Sequence, residues 1–247
     1  MSTIDLRIIQ GTEQGVPAAD INIVIDVIRA FTVSHVAFRK GARAIFLVNT
    51  IDEAFALKAQ HPDYLLAGEI AGLPIAGFDL DNSPYTVSMA DVENKTLVQK
   101  TTHGVKATLS ALNAAQIFVT GFSNARQTAR HVQHLMASEG YRTVNVIASH
   151  ALDDDDFSCA EYIRDQLLGL GQIKLDAIME RIRNSRSAKK FQVAEKNGFD
   201  SRDLDICTHE VESDFVMEVD KSLPIPRIIK QSSRIEPQKS RLPQRGC

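Results

Sequence analysis

Short apolar runs rich in β-branched residues alternate with amphipathic stretches from Leu6 to Ala148, and this alternation limits the fold more than any other feature of the chain. The apolar runs predict strands at Leu6–Ile9, Ile21–Ile25, Ala44–Val48, Tyr64–Ala67, Thr96–Gln99, Ile117–Thr120 and Val144–Ala148. Between them fall helices at about Phe31–Arg39, Ile51–Gln60, Val105–Asn113 and Ala125–Ser138. Thr50 and Glu53 have capping-box spacing before the second, and Ser123 or Asn124 can cap the fourth. Strand and helix joined by short turns make an α/β protein, read here as a layered α/β/α fold with a mostly parallel or mixed sheet.

The pattern changes after His150. The acidic run Asp153–Asp156 opens a helix through Leu168, and a charged helical region covers Ile173–Lys196. Phe215–Val219 and Ile225–Ile229 are further strand candidates. From Arg227 to Cys247 the six Lys and Arg residues face Glu236 alone. We read residues 1–230 as one α/β catalytic domain, with two subdomains left open, and 231–247 as a basic arm.

Ala67–Pro84 (AGEIAGLPIAGFDLDNSP) sets Glu69 and Asp79 in a backbone broken by Gly68, Gly72, Pro74, Gly77 and Pro84, a density that predicts a long structured loop. Its cluster of Asp79, Asp81, Asn82 and Ser83 is rich in oxygen donors, as a hard-cation or phosphate site requires; a chain of Asx and proline turns fits equally well. Four polar stretches share one placement, each just after a predicted strand. They are Asp26 with Arg29, Gly68 with Glu69, Thr101-Thr102-His103-Gly104, and Gly121–Asn124. In a parallel sheet all four would meet at the carboxyl edge, where α/β proteins bind ligands. Asp26 and Asn124 can also be plain helix caps. The Thr101–Gly104 turn can be a cap or an anion nest of backbone N–H groups.

Bulk properties exclude several classes. A net charge of −3 gives no general case for nucleic acid binding, and no apolar stretch approaches the ~18 residues of a membrane span. Asp5 and Arg7 interrupt the first apolar run, so no signal peptide is expected, and the expected compartment is the cytoplasm. Cys159, Cys207 and Cys247 are too few and too scattered for a disulfide framework or a zinc site. No Walker loop, dinucleotide fingerprint or serine-hydrolase elbow appears.

The segments VIDVIRAFTV (24–33), AGEIAG (67–72), GFDLDNSP (77–84), KTTHGVKA (100–107) and TGFSNARQTA (120–129) together resemble the motif series of the 2-phosphosulfolactate phosphatases. The resemblance is strong over roughly residues 20–130 and weaker beyond. It implies an α/β layered, Mg²⁺-dependent phosphatase that converts 2-phosphosulfolactate to 3-sulfolactate and phosphate, on a route towards coenzyme M. It also implies, as site candidates, Asp26, Arg29, Glu69, Asp79, Asn82, Ser83, Thr101, Thr102, Gly104 and Asn124. The chain departs from the family pattern at Phe31, Asp81, His103 and Val105, which bears on substrate choice and on whether activity is kept.

The mechanism expected from this resemblance is metal-assisted hydrolysis of a small phosphorylated acid. Glu69 and Asp79 are the first choices as metal ligands, with Asp26 next. Arg29 and the Thr101–Gly104 turn would neutralise the phosphoryl oxygens, and Arg126 or Lys106 would hold the sulfonate. On that reading Asp79→Asn abolishes turnover. The alternatives are a relative acting on another phosphorylated acid and a non-catalytic small-anion binder. No nucleic acid or membrane partner is expected, and a homo-oligomer is left open.

Overall fold

A computed structural model describes residues 4–192 and 199–233. The strands are β1 (Asp5–Gln10), β2 (Ile21–Ile25), β3 (Ala44–Leu47), β4 (Leu65–Ile70), β5 (Leu73–Pro74), β6 (Thr96–Lys100), β7 (Gln116–Thr120), β8 (Thr143–Ala148), β9 (Phe215–Asp220) and β10 (Arg227–Ser232). The helices are α1 (Ala30–Arg39), α2 (Ile51–Gln60), α3 (Pro84–Met89), α4 (Gly104–Ser110), α5 (Ala125–Ser138), α6 (Asp154–Leu168), α7 (Leu175–Asn184), α8 (Arg186–Gln192) and α9 (Ser201–Cys207). Among the described residues, no helix is long and apolar enough to cross a membrane.

The strands form one mixed sheet in the order β1-β8-β2-β7-β9-β10-β3-β6-β4-β5. It contains two parallel blocks, β1-β8-β2-β7 and β3-β6-β4. The β9–β10 hairpin stands between them, antiparallel to β7 on one side and to β3 on the other. The blocks therefore run in opposite senses, which corrects the expectation of four polar stretches along one carboxyl edge. The C-terminal strands enter the middle of the sheet and reverse it there.

The sheet curls around its own helices. One cluster of buried side chains joins Val24, Val119 and Ile147 of the first block to Ile45, Leu47 and Leu97 of the second, with α1 and α4 between them. The opposite face of the first block, through Ile21, Ile23 and Ile25, packs on α5, α6 and α7. The opposite face of the second block, through Leu66 and Val98, packs on α2. This is the period-two alternation of strands buried on both faces. Ala30 through Phe38 are all buried, so α1 is a core helix covered on every side. Its polar members find partners: Thr32 Oγ1 donates to the Val27 carbonyl, and Ser34 Oγ donates to Gln99 Oε1. Twist of about 20–25° per strand step, accumulated over the five steps from β2 to β6, swings the second block by roughly 100° or more. The ends of β2, β4 and β6 meet in this way despite their opposed senses.

Two local differences from the sequence reading stand beside one agreement. β4 continues through Gly68 and Glu69, so Glu69 sits on a strand end and not in a loop. Gly68 makes that pairing feasible: its φ is +151°, and a Cβ there would lie 1.9 Å from the Lys100 carbonyl oxygen. The capping box at Thr50 and Glu53 is present as expected. β10 runs past position 230, pairing Gln231 with Val216 and Ser232 with Phe215. Residues 234–247 of the expected basic arm, and 193–196 of the expected charged helical region, lie outside the described residues.

Candidate functional site

β2 ends at Ile25, and Asp26 follows where two helix N-termini meet. Its Oδ1 accepts from Ala30 N of α1 at 2.9 Å, and its Oδ2 accepts from Gly104 N of α4 at 2.9 Å. The two helix dipoles hold this carboxylate in place. Gly104 is required here, because a Cβ would stand 2.6 Å from Asp26 Oδ2. Glu69, at the end of β4, accepts from Thr102 N and Gly72 N at 2.5 Å each and from Thr102 Oγ1 at 3.0 Å. The backbone N–H groups of the Thr101–Gly104 turn are therefore directed at the protein's own carboxylates. Thr101 Oγ1 accepts from Val105 N as a local cap.

A third contribution comes from β8. Ile25 is paired with Ala148, so the residues after Ala148 emerge beside Asp26. Asp156 accepts from Val27 N at 2.8 Å, Ser149 Oγ at 2.8 Å and His150 N at 3.2 Å. Its neighbour Asp155 is equally buried, yet its Oδ1 has no hydrogen-bond partner. Asn82, just before α3, is also buried and leaves its Oδ1 unpartnered.

These groups line one cavity of about 260 Å³. Among the described residues, four carboxylates face it: Asp26, Glu69, Asp155 and Asp156. Burial pushes Asp26 up to about 6, with the Glu69 charge adding to the effect. Burial and then the Asp26 charge push Asp156 up to about 8. Asp155 is raised well above the usual carboxylate range by burial, then by its acidic neighbours. Two imidazoles, His103 and His150, stand at the same cavity with ring centroids 4.5 Å apart, and burial lowers both. His150 Nδ1 accepts from Leu152 N at 3.1 Å, so the neutral ring carries its proton on Nε2.

Arg29 follows a cis Ile28–Arg29 peptide and lines the cavity over the paired rings of Phe191 and Phe199, at 5.2 and 5.4 Å from their centroids. Its Nη1 donates to buried Asp203 Oδ2 at 2.7 Å. Asp203 Oδ1 accepts in turn from Ser83 Oγ at 2.6 Å and Tyr85 N at 3.0 Å. Ser83 also caps α3, accepting from Thr86 N. It acts on the cavity only through Asp203 and Arg29.

Two expected site residues stand elsewhere. Asp79 accepts from Leu66 N at 2.8 Å and from Lys58 Nζ at 3.2 Å. Leu66 lies three residues before Glu69 on the strand, roughly 10 Å away, and Asp79 is not part of the cavity lining. Asn124 closes its own turn, with Oδ1 accepting from Gly121 N and Thr120 Oγ1. It borders a separate cavity beside Arg126, which is ion-paired to Glu210. Of the four departures from the family pattern, only His103 faces the main cavity. Phe31 and Val105 are in the core, and Asp81 accepts from Ser83 N.

The sequence reading took the Asp153–Asp156 run as most simply solvated, with one member able to bind metal, whereas Asp155 and Asp156 are buried at the cavity; it missed His150 as a member of the site. The signal for all three was positional, an acidic run after a strand that pairs with β2. It also missed Ser187, Lys190, Phe191 and Phe199, which close the cavity from the C-terminal third.

Comparison with known proteins fits this geometry. The family described as 2-phosphosulpholactate phosphatase matches residues 8–222. A Bacillus subtilis protein named probable 2-phosphosulfolactate phosphatase is 50% identical over 223 residues, spanning 90% of this chain and 97% of that protein. A Deinococcus radiodurans protein of the same name is 37% identical over 158 residues, 64% of this chain and 65% of its own. One from Clostridium beijerinckii is 28% identical over 212 residues, 80% and 88% of the two chains.

Proposed function

Because the chain belongs to the 2-phosphosulfolactate phosphatase family, we propose that its cavity hydrolyses 2-phosphosulfolactate to 3-sulfolactate and phosphate with the help of Mg²⁺. The observation that carries this reading is the crowding of carboxyl groups at the cavity, whose raised pKa values mean that they do not all ionise together without a cation. Four carboxylates face a space of about 260 Å³, and the nearby backbone N–H groups are already taken by two of them. A phosphate dianion enters such a space only together with a cation.

The donor set suits Mg²⁺. Asp26, Asp155 and the unpartnered Asn82 Oδ1 are hard oxygen donors, and the lone Asp155 oxygen gains a partner when a cation binds. Among the described residues, no three His, Cys, Asp or Glu side chains form a ready-made coordination group. That suits an ion which keeps waters and takes few protein ligands beside substrate phosphate oxygens. Bound there, Mg²⁺ would polarise the phosphoryl group and offset its charge.

The protein's own groups supply the rest. Gly104 N and Ala30 N hold Asp26 in one orientation. Glu69 ties the 69–72 turn to Thr102 and fixes the wall between β4 and α4. Arg29, steadied by Asp203 and two aromatic rings, sets a fixed positive charge beside the phosphoryl site. His150 presents an N–H on Nε2, which we assign as a hydrogen-bond donor that stabilises charge on the departing ester oxygen. Formation of 3-sulfolactate would place the protein on a route towards coenzyme M.

The test is inorganic phosphate release from a panel of small phosphate monoesters that includes 2-phosphosulfolactate, with Mg²⁺ and then with EDTA. Turnover of 2-phosphosulfolactate that EDTA abolishes is the expected result. Turnover of other esters alone moves the substrate. Silence across the panel from folded protein overturns the proposal.

A further inference from the structure

The substrate proposed above carries a permanent negative charge besides its phosphate, and the cavity has a place for it. The sequence pointed to Arg126 or Lys106 for this task, but neither faces the cavity. Arg126 is ion-paired to Glu210 and donates to the Tyr162 hydroxyl, and Lys106 stands exposed on α4. Among the described residues, the cations that do face it are Arg29 and Lys190. Arg29 is committed to Asp203. Among the described residues, Lys190 has no carboxylate in ion-pair contact.

Lys190 is presented by a short helix whose placement is fixed at both ends. Asp153 accepts from Arg186 N at 2.9 Å, Ser187 N at 2.8 Å and Ser187 Oγ at 2.7 Å, which pins the start of α8 to the start of α6. Ala188 and Phe191 are buried, and Phe191 packs edge-on against Phe199 and under Arg29. With those two faces turned inwards, Ser187 and Lys190, three residues apart, share the face that lines the cavity. The Lys190 charge reaches across to both imidazoles and disfavours their protonation. Lys190 is itself exposed and meets the cavity that His103 and His150 also line.

We infer that Lys190 is the subsite for the sulfonate of the substrate and sets the preference for sulfonated over unsulfonated phosphate esters. This inference rests on the phosphatase reading and adds a specificity determinant to it. The chemistry of the lining is matched to the substrate. The carboxylates take the phosphoryl group with its cation. Lys190 offers a compact, strongly hydrated point charge to an anion that never protonates in the physiological range. A sulfonate held there is bound equally in the ground state and in the transition state, because it takes no part in the bond that breaks. The contact is therefore expressed in KM and in discrimination between substrates, with little effect on kcat.

The experiment compares wild type, Lys190→Met and Lys189→Met on 2-phosphosulfolactate and on 2-phospholactate, which has the same skeleton without the sulfonate. Lys189 is exposed and does not line the cavity, so its variant controls for loss of charge alone. Loss of one charge-assisted contact is expected to raise KM for 2-phosphosulfolactate by about 10- to 100-fold in Lys190→Met. In the same variant kcat and the kinetics on 2-phospholactate stay near wild type. Equal effects on both esters, or none on either, overturn the inference. Calorimetric binding of 3-sulfolactate provides a readout without turnover. If wild type hydrolyses no ester, the phosphatase reading fails. Weaker 3-sulfolactate binding in Lys190→Met would then still sustain the subsite, and equal or absent binding would overturn it.

Discussion

Gly104→Ala tests the core of the site with a single methyl group. Gly104 is the first residue of α4, and its φ is not in the left-handed region, so the backbone accepts alanine. Intrinsic propensity favours the change by up to about 1 kcal/mol. Sterics oppose it: the new Cβ would lie 2.6 Å from Asp26 Oδ2, 2.9 Å from Asp26 Cβ and 3.0 Å from Ala30 Cβ. Carbon atoms settle at about 3.5–4.0 Å, so the Asp26 side chain must retreat by roughly 0.6 Å or more. It cannot do so and keep both its bonds, to Ala30 N and Gly104 N. Overpacking of this kind costs about 1–3 kcal/mol, which leaves a net loss of roughly 0–2 kcal/mol in stability. The effect on chemistry is larger in proportion, since a displacement near 1 Å at a reacting centre lowers rates by about 100-fold. We expect kcat/KM for phosphate release to fall by about 10- to 100-fold. Thermal unfolding should remain cooperative, with Tm lowered by a few degrees. A variant with wild-type turnover would refute the claim that Asp26, held as seen here, takes part in the reaction.

Three further outcomes are expected. Asp155→Asn removes a buried, partly unpartnered acid, so it should raise the Tm of the metal-free protein, by about 1–3 kcal/mol of stability; it should also abolish the Mg²⁺-dependent rise in Tm and the turnover, and a variant that keeps both would remove Asp155 from the site. Asp79→Asn, expected from sequence alone to abolish turnover, should keep it and lose about 1 kcal/mol or less, read by denaturant melts, because Asp79 serves only Leu66 N and Lys58. His35 is buried, and burial lowers it to about 3, so its stabilising contribution is full above its unfolded value of 6.5 and is lost as pH falls below that towards 3. Between pH 7.5 and pH 5 this one group should remove about 2 kcal/mol, and His35→Gln should show a correspondingly flatter pH–stability curve.

The local elements were legible because their signals are local. Ile21–Ile25, the Thr50 capping box and the helix Ala125–Ser138 each depend on a few neighbouring residues, and all three are found where the pattern put them. Sheet order was not legible. Nothing within Phe215–Val219 or Ile225–Ile229 says that these runs will enter the centre of the sheet, and that one insertion sets β3, β6 and β4 against the first block. The short helices α3 and α9 also escaped notice, because six or seven residues are too few to display a period.

The site divides along the same line, and Asp79 shows why. Glu69 and Asp79 are equally acidic and lie in the same broken stretch, so sequence alone treats them alike. What separates them is the strand: once β4 runs to Ile70, Glu69 falls at its end beside Thr102, and Asp79 falls back against Leu66, where a backbone N–H takes its carboxylate. The Thr101–Gly104 turn was misjudged for a related reason. Its N–H groups do form an anion-binding turn, but the anions are Glu69 and Asp26. An arrangement that uses its donors on fixed carboxylates has turned a phosphate nest into a negatively charged wall. That wall needs a cation to admit its substrate, and it needs a separate positive group, on α8, to recognise the rest of it.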